Sequence, residues 1–306
     1  MQMNAMNRTT SGKRLTDLLD PQFMARLDSL DILSRKILQG KLQGERRSKR
    51  RGQSVEFADH RPYVVGDDLR FVDWNIYGRL ERLFLKLFLE EQDLTVHIVA
   101  DTSASMAYGT PPKDLFIKRL TAALGYVSLV NNNRVTVSLF SEGIDVQLAN
   151  MRGRNYLSQM ADCLLGARPE GLSLFTDSCR QIASSRIGSG VMILLSDFLF
   201  KEGYEEGLRR LLGRQYDLYV IQVLSPQELS PELSGDLKLI DIEDVDAAEI
   251  TAGSALLKYY KKNLSAYCNE LKAFCTRRGA VYVLANSSDS VESLVLNYLR
   301  RIRLLR

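Results

Sequence analysis

The sequence lacks most of the residues and motifs from which enzyme active sites are built. Only two of its 306 residues are histidines, and no GxxxxGK[ST] motif of the P-loop type occurs. His97 lies inside a predicted strand, where a core histidine is the better interpretation, and His60 lies in a polar segment without an obvious partner. A Ser-His-Asp triad is therefore poorly supported, and we expect a protein that is not an enzyme.

The sequence also lacks the patterns of disulfide frameworks, zinc sites and membrane spans. Its four cysteines, Cys163, Cys179, Cys268 and Cys275, contain no CxxC pair, which is typical of free thiols in a reducing compartment. No stretch approaches the roughly 18 apolar residues that a membrane span requires. The N-terminal residues lack the continuous apolar run of a signal peptide. These absences predict a cytoplasmic protein.

A strong excess of positive charge is missing as well. The formal net charge is only +4, which is low for a dedicated nucleic-acid binder. The sharpest run of basic residues extends from Arg46 to Arg51. We interpret this run as a solvated connector; a patch for an acidic partner or anionic membrane and a nucleic-acid contact are the alternatives. No aromatic residues interleave with it, so stacking on single strands is not expected.

Strand and helix patterns alternate along most of the chain. They predict an α/β fold, a doubly wound, mostly parallel sheet flanked by helices, with an N-terminal helical and turn-rich extension. Residues 1–20 form a polar tail, residues 21–90 an N-terminal segment, and residues 91–306 the α/β domain with an insertion at about 225–252. We expect helices at 21 to about 40, 113–130, 153–166, 173–187, 203–214, 254–277 and the C-terminus, and strands at 84–92, 95–101, 134–140, 144–148, 191–197, 218–225 and 280–285.

The most informative pattern is D-x-S-x-S, formed by Asp101, Ser103 and Ser105 at the end of a predicted buried strand. A turn at this point can direct one carboxylate and two hydroxyls to a common point above the sheet. Asp197 ends another predicted strand, and Ser173 lies in the turn before a predicted helix. Ligands of such sheets bind at the carboxyl ends of the strands, so oxygen atoms from three loops are expected to meet there.

These oxygen atoms are the ligands that a hard divalent cation prefers. Magnesium is the favoured ion, with manganese or calcium as alternatives, and its octahedral shell leaves a position for water or an incoming carboxylate. The simpler explanation is that Asp101, Ser103 and Asp197 only cap turns and helices. We favour the metal site because capping does not explain why all three oxygen sets fall at one edge of the sheet.

These residues resemble a known type of site. Asp101, Ser103, Ser105, Ser173 and Asp197 match the metal-ion-dependent adhesion site of von Willebrand factor type A domains, which have a doubly wound sheet. The middle-loop residue is usually threonine in those domains, so Thr176 is an alternative to Ser173. A block upstream resembles the bacterial domain of unknown function 58 family, which couples it to such a domain. The block consists of Gly52, Ser54, Glu56, Phe57, Arg61, Tyr63, Gly66, Asp67, Asp68, Arg70, Asp73, Trp74 and Arg79.

The resemblance implies a binding and adaptor function. Members of the family often occur beside MoxR-type AAA ATPases and are thought to act with them in the chaperone-like maturation of other proteins. We therefore expect the cation to engage an Asp or Glu side chain of a protein partner. The competing hypothesis is a metal-dependent hydrolase that uses the same crevice. It requires a general base or a second cation near Asp101, and the sequence suggests neither.

The segment from Arg61 to Arg79 alternates arginines with aspartates. We interpret it as a structural collar in which Arg61, Arg70 and Arg79 pair with Asp67, Asp68 and Asp73, while Trp74 packs below. A partner-binding role is the alternative.

Overall fold

The computed structural model describes residues 15–34, 56–89, 94–185, 190–212, 216–233, 235–240, 242–243 and 247–306. The chain divides into two compact units. The larger unit consists of Met1–Leu38 and Leu94–Arg306, and the smaller unit consists of Gln39–Asp93. The basic run from Arg46 to Arg51, together with Gly52 and Ser54, lies outside the described residues.

The described part of the smaller unit contains a two-stranded antiparallel sheet. Its strands are β1 (Glu56–Pro62) and β2 (Phe84–Leu89). Between them lie a short 3₁₀ turn (Leu69–Phe71) and the helix α2 (Trp74–Leu80). Asp73 is the N-cap of α2 and accepts hydrogen bonds from the backbone N–H groups of Asn75 and Ile76.

The described part of the larger unit is built on a six-stranded sheet. In space the strand order is β10-β7-β6-β3-β4-β5, and all neighbours are parallel except β4 and β5. The predicted doubly wound, mostly parallel α/β fold is confirmed. The strands are β3 (Thr95–Asp101), β4 (Arg134–Phe140), β5 (Ile144–Met151), β6 (Gly190–Ser196), β7 (Tyr216–Leu224) and β10 (Val281–Asn286).

Strand β3 lies at the switch point of this sheet. The chain passes from β3 to β4 on one side, and later returns to place β6 on the other side of β3. The connections that follow β3 and β6 therefore leave the sheet in opposite directions. They open a crevice at the carboxyl ends of these two strands, which is where open α/β sheets bind ligands.

Helices cover both faces of the sheet, as the strand sequences require. Residues alternate between the faces along β6: Val191, Ile193 and Leu195 join one apolar cluster, whereas Met192 and Leu194 join the other. In the described part of the larger unit the helices include α1 (Pro21–Leu27), α3 (Lys113–Val130), α4 (Leu157–Gly166), α5 (Phe175–Ser184), α6 (Glu205–Leu212), α7 (Pro226–Leu229), α8 (Ser254–Arg277) and α9 (Val291–Ser293). Helix α9 continues as π-helical turns over Leu294–Leu299. None of the helices in the described ranges has the length and apolar character needed to cross a bilayer.

The N-terminal helix is shorter than its sequence pattern predicts. The apolar spacing predicts a helix from Pro21 to about Gly40, but α1 ends at Leu27. Leu30 and Ile32 are buried, as the pattern requires, yet Ile32 is extended and pairs with Leu305 near the C-terminus. The prediction was wrong for residues 28–34, because residues at helical spacing can also be buried by an extended segment. Residues 35–40 lie outside the described residues.

The segment predicted as an insertion contains α7 and a small antiparallel hairpin. The strands of the hairpin are β8 (Gly235–Ile240) and β9 (Ala247–Ala252). Helix α7 begins at the end of β7 with a capping box, in which Ser225 and Glu228 satisfy each other's backbone N–H groups. This places the side chain of Glu228 at the same edge of the sheet as the ends of β3 and β6.

Candidate metal centre

Asp101 lies at the carboxyl end of β3 and is 1% exposed. Its Oδ1 accepts a hydrogen bond from the backbone N–H of Ser103 at 2.9 Å. Its Oδ2 accepts hydrogen bonds from the hydroxyls of Ser196 at 2.7 Å and Ser173 at 3.2 Å. The groups that donate these hydrogen bonds to Asp101 are all neutral. A buried carboxylate is therefore held by dipoles and not by a counter-charge.

The D-x-S-x-S turn brings its two hydroxyls together as predicted. After Asp101 the chain enters a 3₁₀ turn (Ala104–Ala107) whose N-cap is Ser103. The hydroxyl oxygens of Ser103 and Ser105 lie 3.1 Å apart. Ser103 is fully buried, whereas Ser105 is partly exposed. The turn thus presents one buried and one accessible hydroxyl beside the Asp101 carboxylate.

The middle loop contributes Ser173 and not Thr176 to Asp101. The Ser173 hydroxyl donates to Asp101, whereas Thr176 lies in the first turn of α5. The backbone N–H of Ser173 donates to Oε2 of Glu243 at 3.3 Å, so this loop also contacts the insertion. Ser196, the last residue of β6, also donates to Asp101, although its sequence pattern did not predict a site residue. A serine immediately before Asp197 at the end of a central strand was the available signal.

Asp197 follows β6 and is as deeply buried as Asp101, but its surroundings are different. Its Oδ2 accepts a hydrogen bond from Nζ of Lys113 at 2.7 Å, and its Oδ1 accepts one from the backbone N–H of Leu199 at 3.1 Å. The Lys113 ammonium also donates to Oε1 of Glu228 at 2.6 Å. Lys113 therefore links two carboxylates in a buried ion triad, which sequence reasoning missed.

The loop before α3 places Lys113 in this position. Gly109 has a φ of 101°, and a Cβ at this residue would lie 2.5 Å from the Cβ of Ser225. The loop thus approaches the start of α7 more closely than a side chain permits. The backbone N–H of Thr110 donates to Oε1 of Gln227 at 3.1 Å, which also fastens the loop to α7. Lys113 then begins α3 beside Glu228.

A sequence signal for Lys113 did exist. It is the first residue of α3, where the positive end of the helix dipole disfavours a cation. A lysine at this position is explained by partners outside the helix. Asp197 and Glu228 are those partners, and they lie far from Lys113 along the chain.

The pKa values of Asp101 and Lys113 are both raised, but the physical causes differ. Burial, together with the negative charge of Asp197, raises the pKa of Asp101 from 3.8 to about 7, although hydrogen bonds from Ser103 and Ser196 oppose the shift. Burial lowers the pKa of Lys113, but the charges of Asp197 and Glu228 outweigh burial and keep this pKa above its ordinary value. Lys113 is therefore a permanent cation, whereas Asp101 lacks a counter-charge.

The donor set fits a divalent ion of the hard type. Asp101, Ser103, Ser105 and Ser173 supply only oxygen atoms, which suit magnesium, manganese or calcium and not zinc. Within the described residues no three His, Cys, Asp or Glu side chains converge as metal ligands. An ion at this site would therefore depend on hydroxyls and water beside Asp101. Asp197 has one oxygen committed to Lys113, so its role differs from that of Asp101.

Sequence comparison places this site within a described family. The model of "Protein of unknown function DUF58" matches residues 59–269, which is more than half of the chain and includes the whole candidate site. The chain belongs to the DUF58 family. The resemblance drawn from the sequence to this family is confirmed.

Proteins of similar sequence occur in mycobacteria. Uncharacterized proteins of Mycobacterium bovis and Mycobacterium tuberculosis are 25% identical over 261 residues, which cover 82% of this chain and 80% of each relative.

Solved structures with a similar chain fold have lower sequence identity. The conserved hypothetical protein BatB from Bacteroides thetaiotaomicron is 14% identical, with a TM-score of 0.41, over 68% of this chain and 98% of that chain. An aerotolerance-related membrane protein from Bacteroides fragilis is 15% identical, with a TM-score of 0.40, over 68% and 99%. The pilus adhesin SpaC from Lactobacillus rhamnosus GG is 13% identical, with a TM-score of 0.44, over 71% and 32%.

The two histidines of this DUF58 protein each have a partner within their own unit. His97 is fully buried in β3, and its Nε2 lies 2.8 Å from the hydroxyl of Ser138. Burial lowers the pKa of His97 to about 3, so it is neutral at ordinary pH. The interpretation of His97 as a core residue is confirmed. His60 lies in the smaller unit, where its Nε2 is 3.1 Å from Oδ2 of Asp73.

The arginine and aspartate block of the smaller unit forms two of its three predicted pairs. Arg61 binds Asp67 through two hydrogen bonds of 2.8 Å, and Arg70 binds Asp68. The predicted pair of Arg79 with Asp73 is wrong, because Asp73 caps α2 and contacts His60 and Lys86 instead. Trp74 does not pack below the block, since 60% of its surface is exposed.

Proposed function

We propose that this protein is a metal-dependent binding protein and not an enzyme. Asp101 and the hydroxyls of Ser103, Ser105 and Ser173 hold a divalent cation, with magnesium the favoured ion and manganese or calcium as alternatives. Asp197 contributes from a greater distance. The cation engages an Asp or Glu side chain of a protein partner.

The environment of Asp101 is the observation that supports this proposal. A buried carboxylate without a counter-charge is costly, and proteins ordinarily pair such a group or use it to coordinate a metal. Asp101 is 1% exposed and receives its hydrogen bonds from one N–H and two hydroxyls. With Asp101, Asp197, Glu228 and Lys113 all ionised, these four side chains together carry two negative charges in excess. One divalent cation balances them.

The accessible side of the site determines where a partner can bind. Ser105 and Ser173 are partly exposed, whereas Ser103 and Ser196 are buried. A partner carboxylate therefore approaches between the D-x-S-x-S turn and the middle loop. When bound, the divalent ion supplies a Lewis-acidic centre that accepts a further oxygen ligand. The likeness to type A adhesion sites and to partners of MoxR-type AAA ATPases supports an adaptor role in the maturation of other proteins.

Metal titration tests the proposal. We expect magnesium and manganese to bind the wild-type chain with one ion per protein in calorimetry, and Asp101→Ala to abolish binding because it removes the only carboxylate of the set without a counter-charge. Asp114→Ala is the matched control, since Asp114 lies on α3 and pairs with Lys118 outside the site. Partners should co-purify in magnesium with the wild type and the control, and not with Asp101→Ala. Unchanged metal affinity in Asp101→Ala would refute the proposal.

A further inference from the structure

The buried ion triad of Lys113, Asp197 and Glu228 is more than a structural link. The side chain of Lys113 is 1% exposed, and its ammonium donates to one oxygen of each carboxylate. The other oxygen of Glu228 accepts hydrogen bonds from the backbone N–H and hydroxyl of Ser225, at 2.7 and 2.9 Å. Glu228 is therefore fixed by α7, and it fixes Lys113 in turn.

The triad determines how Asp197 can take part in the metal site. One oxygen of Asp197 binds Lys113, and the other accepts from the backbone N–H of Leu199. Asp101 has no such ammonium partner among the described residues. Two aspartates at adjacent strand ends thus differ in the charge that they can offer to a cation. Only neutral donors bind Asp101, whereas the Lys113 ammonium already compensates much of the charge of Asp197.

We propose that Lys113 is a positioning residue that keeps Asp197 out of direct contact with the cation, and thereby reserves a coordination position for the carboxylate of a partner. This inference rests on the proposed function. If both aspartates bound the ion directly, their two charges would neutralise it and weaken its attraction for a third carboxylate. With Asp197 held by Lys113, the ion and Asp101 together retain one positive charge. Lys113 therefore favours partner binding over the tightest possible metal binding.

The positioning role can be separated from a simple effect of net charge. In Lys113→Met/Glu228→Gln one positive and one negative charge are removed, so the net charge of the site equals that of the wild type. Asp197 is then free to reach the cation. In Glu228→Gln alone, Asp197 is the only carboxylate of the triad that still pairs with Lys113, and the site loses one negative charge. The two variants should therefore change metal affinity in opposite directions, which a merely structural role of the triad does not produce.

The experiment measures manganese affinity by calorimetry and the number of water molecules on bound manganese by water-proton relaxation. We expect Lys113→Met/Glu228→Gln to bind manganese roughly tenfold more tightly with fewer bound waters, and Glu228→Gln to bind it roughly tenfold more weakly with the wild-type number. Acetate, as a minimal carboxylate, should displace less water from manganese in the double variant than in the wild type. Lys118→Met/Asp114→Asn, which removes a different ion pair of α3, should match the wild type in every measurement.

The outcomes distinguish this inference from the proposed function. If the wild type binds no manganese, or if Asp101→Ala leaves binding intact, the proposed function fails and the role of Lys113 fails with it. If the wild type binds manganese through Asp101 but the double variant keeps wild-type affinity and water number, only the role of Lys113 is overturned. Circular dichroism confirms folding, and Glu228→Gln keeps the test valid if the double variant does not fold. Unchanged or tighter manganese binding by Glu228→Gln also contradicts the inference.

Discussion

The ends of β3 and β6 present the same residue type at the same depth but in different electrostatic settings. Asp101 and Asp197 are both buried at the switch point of the sheet. Neutral hydrogen-bond donors surround Asp101, whereas Lys113 supplies an ammonium ion to Asp197. Burial and position in the fold therefore do not define the role of a carboxylate. The charge that faces it does: Asp197 has an ammonium ion beside it, whereas Asp101 has only neutral donors.

The largest effect is expected at the end of β6. Lys113→Met leaves Asp197 and Glu228 buried without their counter-charge, which should lower the free energy of unfolding by about 3–5 kcal/mol. Urea denaturation of the metal-free protein measures this change. Lys118→Met, in the more exposed pair with Asp114, should cost much less. Equal losses in the two variants would show that Lys113 is not the counter-charge on which Asp197 and Glu228 depend.

An intermediate effect is expected at the end of β3, in the pH dependence of stability. Because its pKa is raised from 3.8 to about 7, Asp101 binds a proton more tightly in the folded protein than in the unfolded chain. Its protonation therefore stabilises the metal-free protein fully below about pH 4, and this contribution is lost as the pH rises to about 7. The side chain of Asp101→Asn cannot ionise, so this variant should not lose stability in the same way as the pH rises.

The measurement is the difference in free energy of unfolding between Asp101→Asn and the wild type, taken in chelator at several pH values. It should grow from about pH 4 to pH 7 and then level off. The lowered pKa of His97 reduces stability as the pH falls below 6.5, but this contribution is present in both proteins and cancels. A difference that does not vary with pH would mean that Asp101 does have a counter-charge in the metal-free protein.

The smallest effect is expected from the neutral ligands. Ser173→Ala removes one hydroxyl from the set around Asp101 and should weaken magnesium binding by about threefold to tenfold, equivalent to about 1 kcal/mol. Thr176→Ala should leave the affinity unchanged, because the Ser173 hydroxyl is the one that contacts Asp101. Calorimetric titration of both variants provides the comparison. The reverse ranking would assign the middle-loop ligand to Thr176.

Local sequence patterns predicted the elements of the larger unit well where burial follows a regular period. Helix α3 occupies the predicted residues 113–130, and α8 the predicted residues 254–277. The pattern failed at residues 28–34, where apolar residues at helical spacing are buried by an extended segment that pairs with the C-terminus. Periodicity reports which residues are buried, and only their partners decide the backbone conformation.

The sequence predicted only part of the geometry of the candidate site. Asp101, Ser103, Ser105 and Ser173 meet as the spacing and the sheet topology predicted. The sequence did not reveal that Asp197 forms an ion pair with Lys113, because the two residues come from different parts of the chain. The pairing of Asp73 with His60 and Lys86 in the smaller unit was hidden for the same reason.

The sequence by itself determined the family, the alternation of strands and helices, and the oxygen-bearing side chains at the carboxyl ends of the strands. These features follow from local periodicity and from the rule that parallel strands end at a common edge. Only the tertiary structure decided which buried aspartate has a counter-charge. That property depends on contacts of a few ångströms between Lys113, Asp197 and Glu228, and electrostatic energies in a protein interior change steeply over such distances.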